Sequence, residues 1–170
     1  MDPLSEYAAY GEEVGARLSQ QTLQMKLIRH LGVSRQELFD YITNFDRLSE
    51  WIPGVRRSWS DDSNAETPGQ VGAVRMLANG VAKPTREIVK AYEAPRMLAY
   101  SATDASLFGL YTDHLSVLTC DAHPGGGSVF CWLAYGRPAD NAIKRWAGKK
   151  TFQVALGGGI KAFERKFPTN

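Results

Sequence analysis

Two cysteines, three histidines and a net charge of only +2 leave this 170-residue chain short of the residues that several common functions need. Cys120 and Cys131 flank a turn, where a hairpin could bring them face to face. One such pair in a chain without an export signal reads instead as two reduced, half-buried thiols. His30, His114 and His123 are scattered and form no ligand spacing with the cysteines, so no metal is expected. No apolar run approaches the ~18 residues of a transmembrane helix, so no membrane span is expected. Residues 1–20 contain Asp2, Glu6, Glu12 and Glu13 and lack both a basic n-region and an apolar h-region. That is not a secretory signal, and cytoplasmic residence is the expectation. Neither Gly125-Gly126-Gly127 nor Gly157-Gly158-Gly159 matches a phosphate or dinucleotide fingerprint, and there is no Gly-x-Ser-x-Gly elbow. No cofactor is expected, and the near-balanced charge calls for no nucleic acid.

What is present is an ordinary globular composition, 44% hydrophobic and 22% charged, enough for one domain with a substantial core. Its charge is unevenly placed. The first 20 residues hold four acids and a single base, Arg17. The C-terminal stretch holds Lys144, Arg145, Lys149, Lys150, Lys161, Arg165 and Lys166 against Glu164. A solvated helix face accounts for most such patterns. The two stretches are also complementary, within one chain or across a homodimer, and a basic helix also attracts anionic ligands.

The hydrophobic pattern divides the chain into a helical arm, residues 1–20, and a domain, residues 21–170. The arm reads as a marginal helix interrupted by Gly11 and Gly15. Thr22 to His30 alternates as a strand. Ser34 opens a helix as N-cap, with Glu37 completing a capping box. A short helical turn from Asp46 to Trp51 stops at Pro53. Six further strands follow, over residues 55–60, 71–77, 85–92, 97–103, 111–121 and 128–137, the last two joined by the Gly125-Gly126-Gly127 loop. A long helix from Asp140, its expected N-cap, to Phe167 ends the chain. Its apolar residues fall in two sets: Ile143, Ala147 and Val154, then Leu156, Ile160, Phe163 and Phe167. Strands in series with short turns imply an antiparallel sheet with helices gathered on one face, an α+β layout. The three helical glycines should together cost about 2–3 kcal/mol relative to alanine. Either the backbone approaches the sheet closely there, or the missing side chains leave room for a ligand.

Several segments carry a family resemblance: Ser34-x-x-Glu37-Leu38-Phe39-x-Tyr41-Ile42-x-Asn44-Phe45, Trp51-Ile52-Pro53-Gly54, Gly72-Ala73-Val74-Arg75, Arg86-Glu87-Ile88-Val89, Pro95-Arg96-Met97-Leu98-Ala99-Tyr100 and Gly126-Gly127-Ser128-Val129-Phe130-Cys131-Trp132. In order and spacing the chain resembles the START-like superfamily, in detail its polyketide cyclase/dehydrase and lipid-transport branch, over about residues 22–167. The resemblance implies a helix-grip fold: a curved seven-stranded antiparallel sheet around the long C-terminal helix, two short helices between the first two strands, and a hydrophobic cavity between sheet and helix. It implies cavity-closing loops at Ala78 to Pro84 and Asp104 to Leu110. It also implies a small hydrophobic partner, lipid- or polyketide-like, and as an alternative a cofactor-independent polyketide cyclase or dehydratase.

Strand parity selects the candidate residues, and one bulge would reverse a selection. Arg75 lies mid-strand, at a position similar to a cavity-edge arginine of the family. Arg86 and Glu87 are adjacent, so only one can face inward, and a buried charge there would need a partner. Asp113 shares its parity with Tyr111, Leu115 and Val117. If that parity is inward, Asp113 is a carboxylate in an apolar pocket, able to serve as general acid or base. Otherwise His114 offers an imidazole from the same strand. Asp113 and Arg75 are thus the candidate catalytic pair. Tyr100, Trp132 and Tyr135 would stack on a flat ligand, with Phe152, Leu156 and Phe163 on the opposite wall and Trp51 and Pro53 at the base.

Overall fold

A computed structural model describes residues 3–80, 83–102 and 111–169, leaving out the side chains of Tyr111 and Phe152. A short 3-10 turn, Ser5–Tyr7, leads into α1 (Ala8–Leu18). Then come β1 (Leu23–Leu31), α2 (Arg35–Thr43), a 3-10 segment (Phe45–Glu50), β2 (Arg57–Asp61), β3 (Val74–Ala78), β4 (Thr85–Glu93), β5 (Met97–Ala102), β6 (Tyr111–Ala122), β7 (Ser128–Pro138) and α3 (Ala142–Lys166). The strands form one seven-stranded sheet in the order β1-β7-β6-β5-β4-β3-β2, and every pairing is antiparallel. This is the α+β helix-grip fold.

Local chemistry sets the helix ends. The Ser34 hydroxyl accepts from the Glu37 amide at 3.2 Å, as its N-cap role requires. At α3 the cap is Asn141, one residue beyond the expected Asp140. Its Oδ1 accepts from the amides of Ile143 (2.9 Å) and Lys144 (3.1 Å).

The sheet is covered on both faces, which explains the run of buried residues along β7 from Ser128 to Gly136 where an exposed sheet would alternate. On the concave side Leu31, Phe39, Ile42, Trp51, Phe130 and Trp132 pack with Leu156, Ile160 and Phe163 of α3. On the convex side Ile28, Leu115, Val117, Leu133 and Tyr135 pack with Ala8 and Val14 of α1. Gly11 and Gly15, read from sequence as interruptions, are what admit α1. A Cβ at Gly11 would collide with the Leu133 side chain, and one at Gly15 with the Tyr135 ring. The acidic N-terminal stretch therefore lies against β6 and β7 and not against the basic helix. Its Glu12 pairs with Lys26 of β1 at 2.8 Å.

The two cysteines follow the same division. Neighbouring β6 and β7 place Cys120 opposite Phe130 and Cys131 opposite Thr119, so the thiols point to opposite faces. Both are free and buried. Burial raises both thiols, that of Cys131 to about 11.

Only the C-terminal half of α3 is gripped. Leu156, Ile160, Phe163 and Phe167 are buried, whereas Ile143 is 77% exposed and Val154 69%. At 3.6 residues per turn the two sets fall on roughly opposite sides of the helix, so one sheet cannot cover both. The glycine triplet divides similarly. Gly158 lies against Pro53, and Gly159 lies against Trp132 (3.1 Å from its would-be Cβ) and Trp51, which is close packing, while Gly157 faces open space.

Candidate functional site

Five adjacent strands bring a polar cluster onto the concave face. The register pairs Arg75 of β3 with Glu87 of β4, and Tyr100 of β5 with Ser116 of β6. His114 stands two residues before Ser116 on the same face. Trp132 reaches in from β7, where its indole N–H donates to the Ser116 hydroxyl at 3.1 Å.

Arg75 dominates the cluster. It is fully buried, and its guanidinium lies 3.7 Å from the centre of the Tyr100 ring and 5.4 Å from that of Phe45. Its counter-charge is Glu87, 3.3 Å away. That contact lacks hydrogen-bond alignment, and among the described residues none of the three guanidinium nitrogens has a hydrogen-bond acceptor. Stacking on an aromatic face stabilises the cation without consuming its N–H donors. Burying such donors unsatisfied costs roughly 1–3 kcal/mol each, so an acceptor is called for. Burial pushes the Glu87 carboxyl up, and the Arg75 charge holds it down in part. The Tyr100 phenol is raised to about 12, chiefly by burial, so it keeps its proton and has an O–H to offer.

His114 is buried beside these groups. Its imidazole pKa is depressed to about 4, first by burial and then by the Arg75 charge. It is therefore neutral at physiological pH. Its Nε2 lies 3.1 Å from the Ser116 hydroxyl. With two lone pairs and one hydrogen, the Ser116 hydroxyl accepts from the Trp132 indole and either donates to or accepts from His114 Nε2, according to the ring's tautomer. Ser101 fixes the strand by donating to the His114 carbonyl at 2.8 Å.

The sequence-derived candidates divide accordingly. Arg75, Glu87, Tyr100, His114 and Trp132 come together, and Leu156 lines the concave core further along α3. Arg86 is exposed because its neighbour Glu87 takes the inward position. Asp113 does not enter the interior. The β6–β7 register slips between Thr112 and Leu115, Asp113 adopts a left-handed φ of 54°, and its carboxylate meets Arg137 at the surface (3.4 Å). One bulge thus exchanges Asp113 for His114 on the concave side. Tyr135 faces the other way, against Gly15 of α1, and lines no concave space. The side chains of Tyr111 and Phe152 and the loop Asp104 to Leu110 lie outside the described residues, as do residues 81 and 82 of the other mouth loop. Sequence reasoning passed over Ser116. Its two-residue spacing from His114 within an apolar run was the available signal.

Two hollows open at the surface away from this cluster. One, of about 550 Å³, lies between α1 and the end of β6 and is walled by Tyr7, Tyr10, Arg35, Arg96 and Asp121. The other, of about 360 Å³, lies between the segment 49–55 and the C-terminal half of α3. Among the described residues no cluster of His, Cys, Asp and Glu could hold a metal ion.

The profile of one family, described as polyketide cyclase/dehydrase and lipid transport, matches residues 22–169. The chain belongs to that family. Solved structures share its fold at low identity. The protein XoxI from Bacillus cereus aligns with a TM-score of 0.68 at 20% identity, over 84% of this chain and 94% of that one. The di-domain ARO/CYC StfQ from the steffimycin biosynthetic pathway aligns at 0.63 and 14% identity, over 94% of this chain and 52% of that one. Ara h 8.0201 aligns at 0.61 and 16% identity, over 84% of this chain and 94% of that one. No curated protein matches the sequence. The family match begins after α1, so the helix covering the convex face precedes the matched segment.

Proposed function

We propose that this member of the family binds a small hydrophobic molecule, lipid- or polyketide-like, between the concave face of the sheet and α3, with the molecule's polar end held at Arg75. One observation carries the reading: a fully buried guanidinium, stacked on Tyr100, whose donors have no aligned acceptor among the described residues. A ligand carboxylate, enolate or carbonyl oxygen would supply that acceptor, and Tyr100 would add a neutral O–H. The apolar walls would come from Phe45, Trp132 and Leu156.

The test uses anilinonaphthalene sulfonate, an apolar fluorophore with one anionic end, alongside native mass spectrometry of freshly purified protein for a co-purifying guest. A charge-assisted hydrogen bond contributes roughly 1.5–3 kcal/mol, so Arg75→Met should weaken the dye by about tenfold or more. The double variant Arg75→Met/Glu87→Gln avoids a lone buried carboxylate and should bind as poorly while folding normally. Unchanged dye affinity in both variants would refute the anchor.

The convergence of Arg75, Tyr100, His114 and Ser116 favours one further reading, a cofactor-independent polyketide cyclase or dehydratase. In it Arg75 would stabilise an enolate oxygen and the neutral His114 would receive a proton. Loss of a cyclised product from a poly-β-keto substrate in His114→Gln, with dye binding retained, separates this reading from simple carriage.

A further inference from the structure

The outer face of α3 is unusual for a surface helix. Trp146 is 65% exposed, and with Ile143 (77%) and Val154 (69%) it forms a stripe on one side of the helix, opposite the buried Leu156, Ile160 and Phe163. Positions 143, 146, 150 and 154 recur at helical spacing, so Lys150 lies within the stripe, and Lys144, Arg145 and Lys149 lie around the same turns. All four cations are exposed, and among the described residues none has an ion-pair partner. No acid occurs between Ala142 and Phe163.

Large apolar side chains left in water along one side of a helix, with a cation among them, mark a contact surface. Two occupants fit poorly. The chain's own acidic segment is engaged elsewhere, since α1 packs on the convex face and Glu12 is paired with Lys26. A second copy would bring two sets of Lys144, Arg145, Lys149 and Lys150 together as like charges. A surface that is both negative and oily satisfies the stripe and the cations at once, as an anionic bilayer does. Tryptophan favours the headgroup boundary, and lysines reach outward from apolar stems to phosphate.

We propose that the N-terminal half of α3 docks on anionic lipid membranes, with Ile143, Trp146 and Val154 entering the headgroup layer and Lys144, Arg145, Lys149 and Lys150 meeting the acidic lipids. The helix lies along the surface and does not cross it; no described helix is long and apolar enough to span a bilayer. The docking stands whether or not the interior holds a ligand.

Co-sedimentation with phosphatidylcholine vesicles, with and without phosphatidylserine, tests it. The full chain should sediment with the mixed vesicles, far less with phosphatidylcholine alone, and be released by raised salt. Lys149→Gln/Lys150→Gln should lower partitioning roughly 25-fold, about fivefold for each cation removed. Ile143→Ser/Trp146→Ser should abolish sedimentation without altering the circular dichroism spectrum, because both residues are solvent-exposed. Trp51 and Trp132 are buried and Trp59 is half-buried on β2, so it is the part of a vesicle-induced blue shift of emission that is lost in Trp146→Phe that would report the stripe itself. Equal binding to neutral vesicles would overturn the proposal, as would unaltered binding by either double variant. A dimer whose Trp146 is shielded without lipid would overturn it too.

Discussion

His114 ties the stability of the protein to pH in a direction the structure sets. Its imidazole is buried against Arg75, and its pKa falls from 6.5 to about 4. An unfolded chain takes up a proton at this residue below about pH 6.5, whereas the folded one resists until about pH 4. Across that window the unfolded state binds more protons, so stability falls as pH falls. Above it the residue is neutral in both states and contributes nothing. At roughly 1.4 kcal/mol per pH unit, the full depression amounts to about 3 kcal/mol, of which about 2 kcal/mol is already lost at pH 5. Urea unfolding read by circular dichroism is the assay. With a slope of about 2 kcal/mol per molar, the wild-type midpoint should drop by about 1 M more than that of His114→Gln between about pH 7 and pH 5. Other titrating groups, including Glu87 with its raised carboxyl, are common to both proteins and cancel in the comparison. A parallel NMR titration of the ring should show His114 unprotonated at pH 5. If the two proteins lose stability in parallel, or the His114 signal titrates near its ordinary value of about 6.5, the buried neutral imidazole is wrong.

Two further perturbations read the glycine contacts. Gly157→Ala should stabilise the protein by about 1 kcal/mol, because the new methyl meets no neighbouring atom while the helix gains propensity, and Gly158→Ala should gain nothing or lose stability against Pro53; thermal unfolding compares them. Gly15→Val drives a side chain into the Tyr135 ring and should cost about 1–3 kcal/mol, with amide exchange rising over α1 and β7; unaltered stability would mean that α1 does not pack on the convex face.

Alternation, turn residues and capping chemistry act over a few neighbours, so the chain alone determined the element order, the Ser34 cap, the antiparallel sheet and the long terminal helix. Strand patterns and the family resemblance named Arg75, Tyr100 and Trp132 as candidates for the concave side, but left Arg86 and Glu87 as alternatives. Tertiary structure decided what depends on distant partners. The bulge at Asp113 arises from the pairing of β6 with β7, and it exchanged a carboxylate for His114 at the heart of the site. Gly11 and Gly15 look like helix breakers until Leu133 and Tyr135 arrive opposite them from 122 and 120 residues further along. Helical periodicity marked two apolar sets on α3, but period reports only that the residues of a set share a face. Which face the sheet covers, and hence which set meets water, is settled when the whole chain closes on itself.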